Sequence, residues 1–269
     1  MKLANRVAVL TGAGGGIGRA TAFCLARRGC HLALADIDGA AVEKVAGEAR
    51  RLGVRATHHV LDVANRAAVA AFPGLVDAVH GRVDLVINNA GVALGGSFEQ
   101  ILPEDFDWLM EINFHGVVRM TRAFLPHLRE SDDARIVNVS SIYGIISPPG
   151  QSAYSASKFA VRGFSNALRH ELEGTTVGVS VVHPGGVATA IARNARAPKD
   201  APRHEIERGR AIAERLLRMP PERAGEIVVR GIERRRARIL VGSDARIVAL
   251  LERLSPIHYW KLLKKATGR

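Results

Sequence analysis

RVAVLTGAGGGIGRATAFCLARRG, residues 6–29, decides the fold. It opens on a short apolar, β-branched run from about Val7 to Leu10, turns through a cluster of glycines, and continues with apolar residues at helical spacing. A strand, a glycine turn and a helix in that order make the first half of a β-α-β unit. Gly12, Gly16 and Gly18 are spaced so that the turn tightens, the backbone approaches a pyrophosphate, and the first amides of the helix face that anion. Ile17 lies inside the same cradle. Glycine turns are frequent in loops; this one gains its weight from the strand before it, the helix after it and an acid farther along the chain.

The second apolar run, HLALA, ends at Asp36, 18 residues after Gly18. A carboxylate there accepts hydrogen bonds from both ribose hydroxyls and repels a 2′-phosphate, which favours NAD over NADP. Ile37 is neutral, and no Arg or Lys lies between Gly12 and Gly18; Arg19 is the nearby basic residue that can weaken the preference.

Outward from this unit the pattern repeats. Apolar runs fall at 7–10, 31–35, 56–60, 83–87, 135–139, 177–182 and 238–241, with helical periodicity between them. The alternation predicts an α/β fold, a single-domain Rossmann-type doubly wound parallel sheet with helices on both faces and ligands at the carboxyl ends of its strands. TGAGG, Asp36, Asp62, NNAG, Ser141 and PGGV fall at those ends in turn. No repeat or second-domain boundary interrupts residues 1–269; a loose stretch at about 190–220 reads as a mobile substrate lid, and 244–269 as a basic amphipathic segment.

The chemistry is read in IVNVSSIYGIISPPGQSAYSASKFAV. Tyr154 and Lys158, four apart, share a helix face, and Ser141 arrives from a strand end. The ammonium's field is expected to favour the phenolate, moving a pKa of ~10 down by roughly 2–3 so that the pair can exchange protons at neutral pH. Ser141 holds a substrate oxygen against the phenol. Tyr143 has no lysine four residues on and is read as lining the substrate pocket, as is Gln151.

Together these motifs resemble the short-chain dehydrogenase/reductase family, in its single-domain form of about 250 residues. The likeness runs over residues 5 to 192: TGAGGGIG at 11–18, LDV at 61–63, NNAG at 88–91, the Asn113 of EINFHG, SS at 140–141, YSASK at 154–158 and PGGVAT at 184–189. The resemblance implies that Asp62 and the Val63 backbone bracket the adenine, and that Asn89, with Ala90 and Gly91, lies along the cofactor. It implies that Val187 and Thr189, in the loop opened by Pro184 and Gly185, bind the nicotinamide carboxamide, and that Asn113 holds a water passing protons to Lys158. The function implied is hydride transfer between NAD(H) and a secondary alcohol or ketone, with Asn113, Ser141, Tyr154 and Lys158 catalytic. The C-terminal RARILVGSDARIVALLERLSPIHYW departs from the TG…VDGG ending of many bacterial members and looks more like the steroid and retinoid branch, so a hydrophobic substrate is expected. Two rivals are an NADP-dependent ketoreductase and a non-catalytic NAD-binding scaffold; the complete Asn, Ser, Tyr and Lys set argues against the second.

Composition limits the alternatives. The chain has 269 residues, 47% of them hydrophobic, and no apolar run long enough for a membrane span. MKLANR leads straight into the first strand, which predicts a cytoplasmic protein. Cys24 and Cys30 lack metal-type spacing and read as reduced structural thiols; no metal site is expected among the scattered histidines, and His183 reads as structural.

Charge is uneven: residues 1–192 hold 18 basic and 17 acidic side chains, residues 193–269 hold 20 and 9. A solvated surface or attraction to an anionic substrate or membrane explains the excess; nucleic acid is not expected, because no groove-reading motif or stacking platform accompanies the arginines. In the tail, Ile247, Leu250, Leu251 and Leu254 share a helical face ahead of Pro256, and Tyr259 and Trp260 precede Lys261, Lys264 and Lys265. That suits a weak peripheral membrane anchor, a subunit contact or a flap over the active site. The resemblance implies a homodimer or homotetramer, paired through the helices after Asn113 and around Tyr154, with Val117, Val118, Phe159 and Phe164 in the contact.

Overall fold

In the computed structural model, which describes residues 1–267, seven parallel strands lie in the order β3-β2-β1-β4-β5-β6-β7. They are β1 (Val7–Thr11), β2 (His31–Asp36), β3 (Ala56–Val60), β4 (Leu85–Asn88), β5 (Ala134–Val139), β6 (Val177–Pro184) and β7 (Arg238–Val241). The strand order reverses between β1 and β4, so a crevice opens there at the carboxyl ends. This is the predicted doubly wound sheet. The fourth strand starts at Leu85 rather than Val83, because the Asp84 carboxylate takes the Val7 N–H at 2.9 Å in place of a backbone acceptor.

Alternation along the strands sorts side chains into two cores. Ala8, Leu10, Leu32 and Leu34 face one layer; Val9, Ala33 and Ala35 face the other. The first layer is covered by α1 (Gly16–Ala26), α2 (Gly39–Arg50) and α8 (Pro221–Glu233). The second is covered by α3 (Arg66–His80), α5 (Gly116–Arg129) and α6 (Ser152–Glu171), with Phe72 and Phe124 edge to face, centroids 5.5 Å apart. Where α1 meets α8, a Cβ at Gly225 would lie 2.7 Å from the Ala20 backbone, so only glycine lets the helices approach this closely. Arg28, in the turn just after α1, ties the pair by bonding Glu226 and Glu233 of α8 at 2.8 and 2.9 Å.

The remaining helices border the crevice. A helix α4 (Pro103–Met110) runs through a π-helical turn, Glu111–His115, into α5. The segment read as a lid carries α7 (Arg203–Leu216), and the tail forms α9 (Ser243–Leu254) and α10 (Tyr259–Thr267). No described helix is long and apolar enough to cross a membrane.

Candidate active site

The glycine turn leaves β1 with Gly12 and Gly16 at φ +64° and +51°, values that L side chains rarely adopt. A Cβ at Gly18 would clash with the Gly12 carbonyl, and one at Gly12 would lie 2.8 Å from the Ala90 backbone, so both positions exclude any larger residue. A Cβ at Gly15 would meet nothing within 4 Å: the turn faces open space there, at the start of α1. That opening, with helix amides pointing into it, fits a dinucleotide pyrophosphate. Asp36 closes the far side. Its Oδ2 accepts the Gly14 N–H at 2.8 Å and its Oδ1 the Asp38 N–H at 3.0 Å. Arg19 is held by Glu48 at 2.8 Å, and its guanidinium lies 4.6 Å from the centre of the Phe23 ring.

Other predicted cofactor residues take more particular positions. Asn89 braces the cradle from behind, its amide donating to the carbonyls of Thr11 and Gly12 at 3.0 and 2.9 Å, and Ala90 N–H bonds the Thr11 hydroxyl at 3.1 Å. Asp62 follows β3 and accepts the Ala64 N–H at 2.9 Å, whereas the Val63 side chain turns inward against Gly116, leaving only its backbone for a ligand. Thr189 faces Gly16, where an added Cβ would lie 3.0 Å from its methyl, so the loop after β6 and the glycine turn meet across the crevice. Gly91 sits between the Asn113 amide and the Lys158 ammonium, 3.1 and 3.3 Å from where its Cβ would be.

Ser141, Tyr154 and Lys158 converge as their spacing predicts. The Ser141 hydroxyl hydrogen-bonds the Tyr154 phenol and accepts the Tyr143 N–H at 3.1 Å. Lys158, buried, places Nζ 5.6 Å from the centre of the Tyr154 ring and donates to the Val139 carbonyl at 3.3 Å. Tyr143 meets Tyr154 edge on, centroids 6.0 Å apart. Gln151 stands just before α6, the helix that carries Tyr154 and Lys158.

The electrostatics differ from the expectation. Burial pushes the Tyr154 phenol up to about 12, with the Ser141 hydrogen bond opposing it only in part, and burial lowers Lys158 to about 8. Lys158 lies beneath the ring and donates to a backbone carbonyl, not to the phenol oxygen, so desolvation outweighs its field. Asn113 stands in the π-helical turn with its side chain fully engaged: Oδ1 accepts the Val92 N–H at 2.8 Å, while Nδ2 donates to the Val92 carbonyl and to Ser157 at 3.0 and 3.1 Å. A water at this position would therefore meet the backbone of the turn, not the amide.

Three contacts escaped the sequence reading. His183, on β6, donates from Nδ1 to the Ser141 carbonyl at 2.9 Å; burial lowers its pKa to about 4, so the ring stays neutral and anchors the serine. Asp244, at the start of α9, accepts the Gly186 N–H at 2.6 Å. Arg196 stacks 3.5 Å from the centre of the Trp108 ring, pairs with Asp105 at 2.9 Å, and exchanges backbone hydrogen bonds with Ala93 and Gly95, which fixes one end of the lid segment to α4. Each joins residues far apart in the chain.

A model of the short chain dehydrogenases matches residues 6–200. The chain belongs to the short-chain dehydrogenase/reductase family. Among curated proteins, the putative oxidoreductase SadH of Mycobacterium tuberculosis is 42% identical over 267 residues, 98% of this chain and 96% of that protein. A short-chain dehydrogenase/reductase from Burkholderia phymatum, solved with NAD, superposes with a TM-score of 0.88 at 30% identity over 95% of both chains. A metagenomic short-chain oxidoreductase solved with NADP is 36% identical, with a TM-score of 0.65 over 70% of this chain and 85% of that one. The chain is thus an oxidoreductase of this family, built on its dinucleotide-binding fold. Among the described residues no cluster of His, Cys, Asp or Glu is fit to hold a metal ion.

Proposed function

We propose that the protein interconverts a hydrophobic secondary alcohol and its ketone with NAD(H). The observation that carries this reading is the meeting of Ser141, Tyr154 and Lys158 beside a glycine cradle whose far side ends in Asp36. When bound, an oxidised nicotinamide cofactor supplies the hydride acceptor and one positive charge. Ser141 orients the substrate oxygen, and Tyr154 takes the alcohol proton in oxidation or returns it in reduction. Lys158 holds the nicotinamide ribose, and its ammonium gives up a proton to a water at the turn containing Asn113 as the proton taken by Tyr154 replaces it. Gly12, Gly16, Ile17 and Gly18 hold the pyrophosphate; Asp62 and the Val63 backbone hold the adenine; Asn89, Ala90 and Gly91 line the cofactor's path; Pro184, Gly185, Val187 and Thr189 receive the carboxamide. Tyr143 and Gln151 line the substrate pocket under a lid formed by about 190–220.

NAD is favoured over NADP because Asp36 stands at the ribose corner and Arg19, the basic residue beside the glycine turn in sequence, pairs with Glu48. The test is NAD(P)H formation over hydroxysteroids, retinol, simple secondary alcohols and hydroxyacyl thioesters. Binding of NADH with no turnover of any class would leave the non-catalytic scaffold instead.

Assembly through α5 and α6 is part of the proposal. Val118 of α5 is partly exposed and Phe159 of α6 is exposed, and α5 also carries a surface hollow lined by Arg122, Leu125, Pro126 and Arg129. Val117 drops out of the contact, since it is buried in its own chain, and Phe164 packs against Phe114 within the molecule. The tail divides between these readings. Tyr259 and Leu263 of α10 pack inward, whereas Ile247, Leu250 and Leu254 of α9 are 58%, 56% and 73% exposed. That outer stripe, flanked by exposed Arg246 and Arg253, is proposed to rest on an anionic bilayer surface. A contact between two copies through the same stripe would set the arginines against themselves.

A further inference from the structure

The segment after β7 touches both loops that frame the reacting centre. At its start the Asp244 carboxylate accepts the Gly186 N–H, in the loop assigned to the nicotinamide, and it is wedged so closely that a Cβ at either Gly185 or Gly242 would clash with it. Gly242 stands at φ +112°, a conformation that swings the chain so that this carboxylate meets the loop. Beyond the other end of α9, the Tyr259 phenol accepts the Ser147 N–H at 2.9 Å. Ser147 is followed by Pro148 and Pro149, which have no N–H, so it offers the last backbone donor before Gly150. The Tyr259 ring joins Ile145, Ile146, Val248, Ala249 and Tyr143 in one apolar cluster. Tyr143 is the residue whose ring lies edge on to Tyr154.

We propose that α9 and α10 form a brace between the cofactor side and the substrate side of the site. Asp244 is the positioning residue for the 184–189 loop, and Tyr259 for the 142–150 segment that carries Tyr143. The brace rests on the NAD-dependent reading above. Its consequence is specificity: Tyr143 stands between the reacting phenol and the tail, so the place that Tyr259 gives to its segment sets the room beside Tyr154. The two ends act on different quantities because they hold different loops. Asp244 governs cofactor affinity, and Tyr259 governs discrimination between bulky and small alcohols.

The experiment uses the full chain with Tyr259→Phe, which keeps the ring and removes the hydrogen bond, and Asp244→Ala. NADH affinity is read by fluorescence, kcat and KM with cyclohexanol and with a hydroxysteroid, and backbone hydrogen exchange by peptide. Tyr259→Phe should change the ratio of kcat/KM between the two alcohols about fivefold, mainly through KM, with NADH affinity unaltered and faster exchange confined to residues 142–150. Asp244→Ala should weaken NADH about tenfold and leave the alcohol ratio within twofold. Unchanged exchange at 142–150 together with an unchanged ratio in Tyr259→Phe would overturn the proposal, as would a uniform fall in kcat on both alcohols. If the parent protein turns over neither alcohol, the reading as an alcohol dehydrogenase fails. The brace is then still decided by the exchange of 142–150 and the NADH affinity of Asp244→Ala.

Discussion

Lys158 is a cation held almost without solvent in the centre of the molecule, and replacing it with Met should make the cofactor-free protein more stable at neutral pH. Burial takes its pKa from the ordinary 10.5 to about 8, and each pH unit between these values is worth about 1.4 kcal/mol, so the charge costs about 3 kcal/mol when fully present. The sign comes from proton counts. Between pH 8 and 10.5 the unfolded chain binds the proton that the folded chain has released, so stability rises with pH over that window. The cost is therefore complete below about 8 and absent above about 10.5. Met fills a similar volume but forfeits the hydrogen bond to the Val139 carbonyl, about 1 kcal/mol, leaving a net gain of about 2 kcal/mol at pH 7. Urea unfolding of both proteins at pH 7, 8.5 and 10 measures it. The Met variant should lead at pH 7 and lose its lead by pH 10, while turnover falls at every pH. A difference that does not change with pH, or a variant less stable at pH 7, would refute the reasoning.

Tyr154→Phe removes the proposed proton carrier and should lower turnover at least ~10²-fold with NADH affinity nearly unchanged; near-normal turnover would take Tyr154 out of the mechanism. Because burial holds the phenol up at about 12, alcohol oxidation, which needs the phenolate, should rise with pH through the alkaline range while ketone reduction, which needs the protonated phenol, stays level until pH nears that value, and pH profiles in both directions check this. NADP should be used about 30- to 1000-fold less efficiently than NAD, from repulsion and a displaced hydrogen bond at Asp36 worth about 2–4 kcal/mol; comparable kcat/KM values would mean that Arg19 leaves Glu48 for the phosphate. Light scattering at micromolar concentration should give at least a dimer, and Val118→Asp with Phe159→Asp should give a monomer, whereas a parent already monomeric would end the pairing through α5 and α6.

Much of this was legible because the signals are local. A parallel strand buried on both faces reads as an apolar run, as β1 and β4 do; the edge strands β3 and β7 are only partly buried, and the expected runs at 56–60 and 238–241 still coincide with them. The glycine cradle, Asp36 and the four-residue step from Tyr154 to Lys158 are likewise set by neighbours in the chain. What was not legible depends on contacts at long range. Nothing near His183 in sequence points to Ser141, 42 residues away, and nothing near Arg19 points to Glu48. The phenol's pKa was misjudged for a related reason: spacing shows that two groups share a helix face, but the cost of burying both comes from the layers packed around them.

The tail shows the same limit in its sharpest form, since periodicity tells which residues share a helix face and not which way that face looks. α9 carries two apolar faces. The small one, Ala245, Val248 and Ala249, packs inward, where Val248 and Ala249 meet Ile145 and Ile146; the large one, Ile247, Leu250 and Leu254, points out. Small side chains let the helix lie close to the loop that Tyr259 holds, and that close seat leaves the larger residues on the far side. Under the reading proposed above, this outer stripe meets a surface beyond the chain's own core, and the basic excess of the last 77 residues favours an anionic surface over a second copy of the same patch. Binding to anionic vesicles should fall steeply between low and physiological salt, and Leu250→Glu with Leu254→Glu should abolish it without loss of fold or turnover. No pelleting with anionic vesicles at low salt would sink the membrane reading, and a drop in molecular mass in the double variant would show that the stripe joins two copies instead.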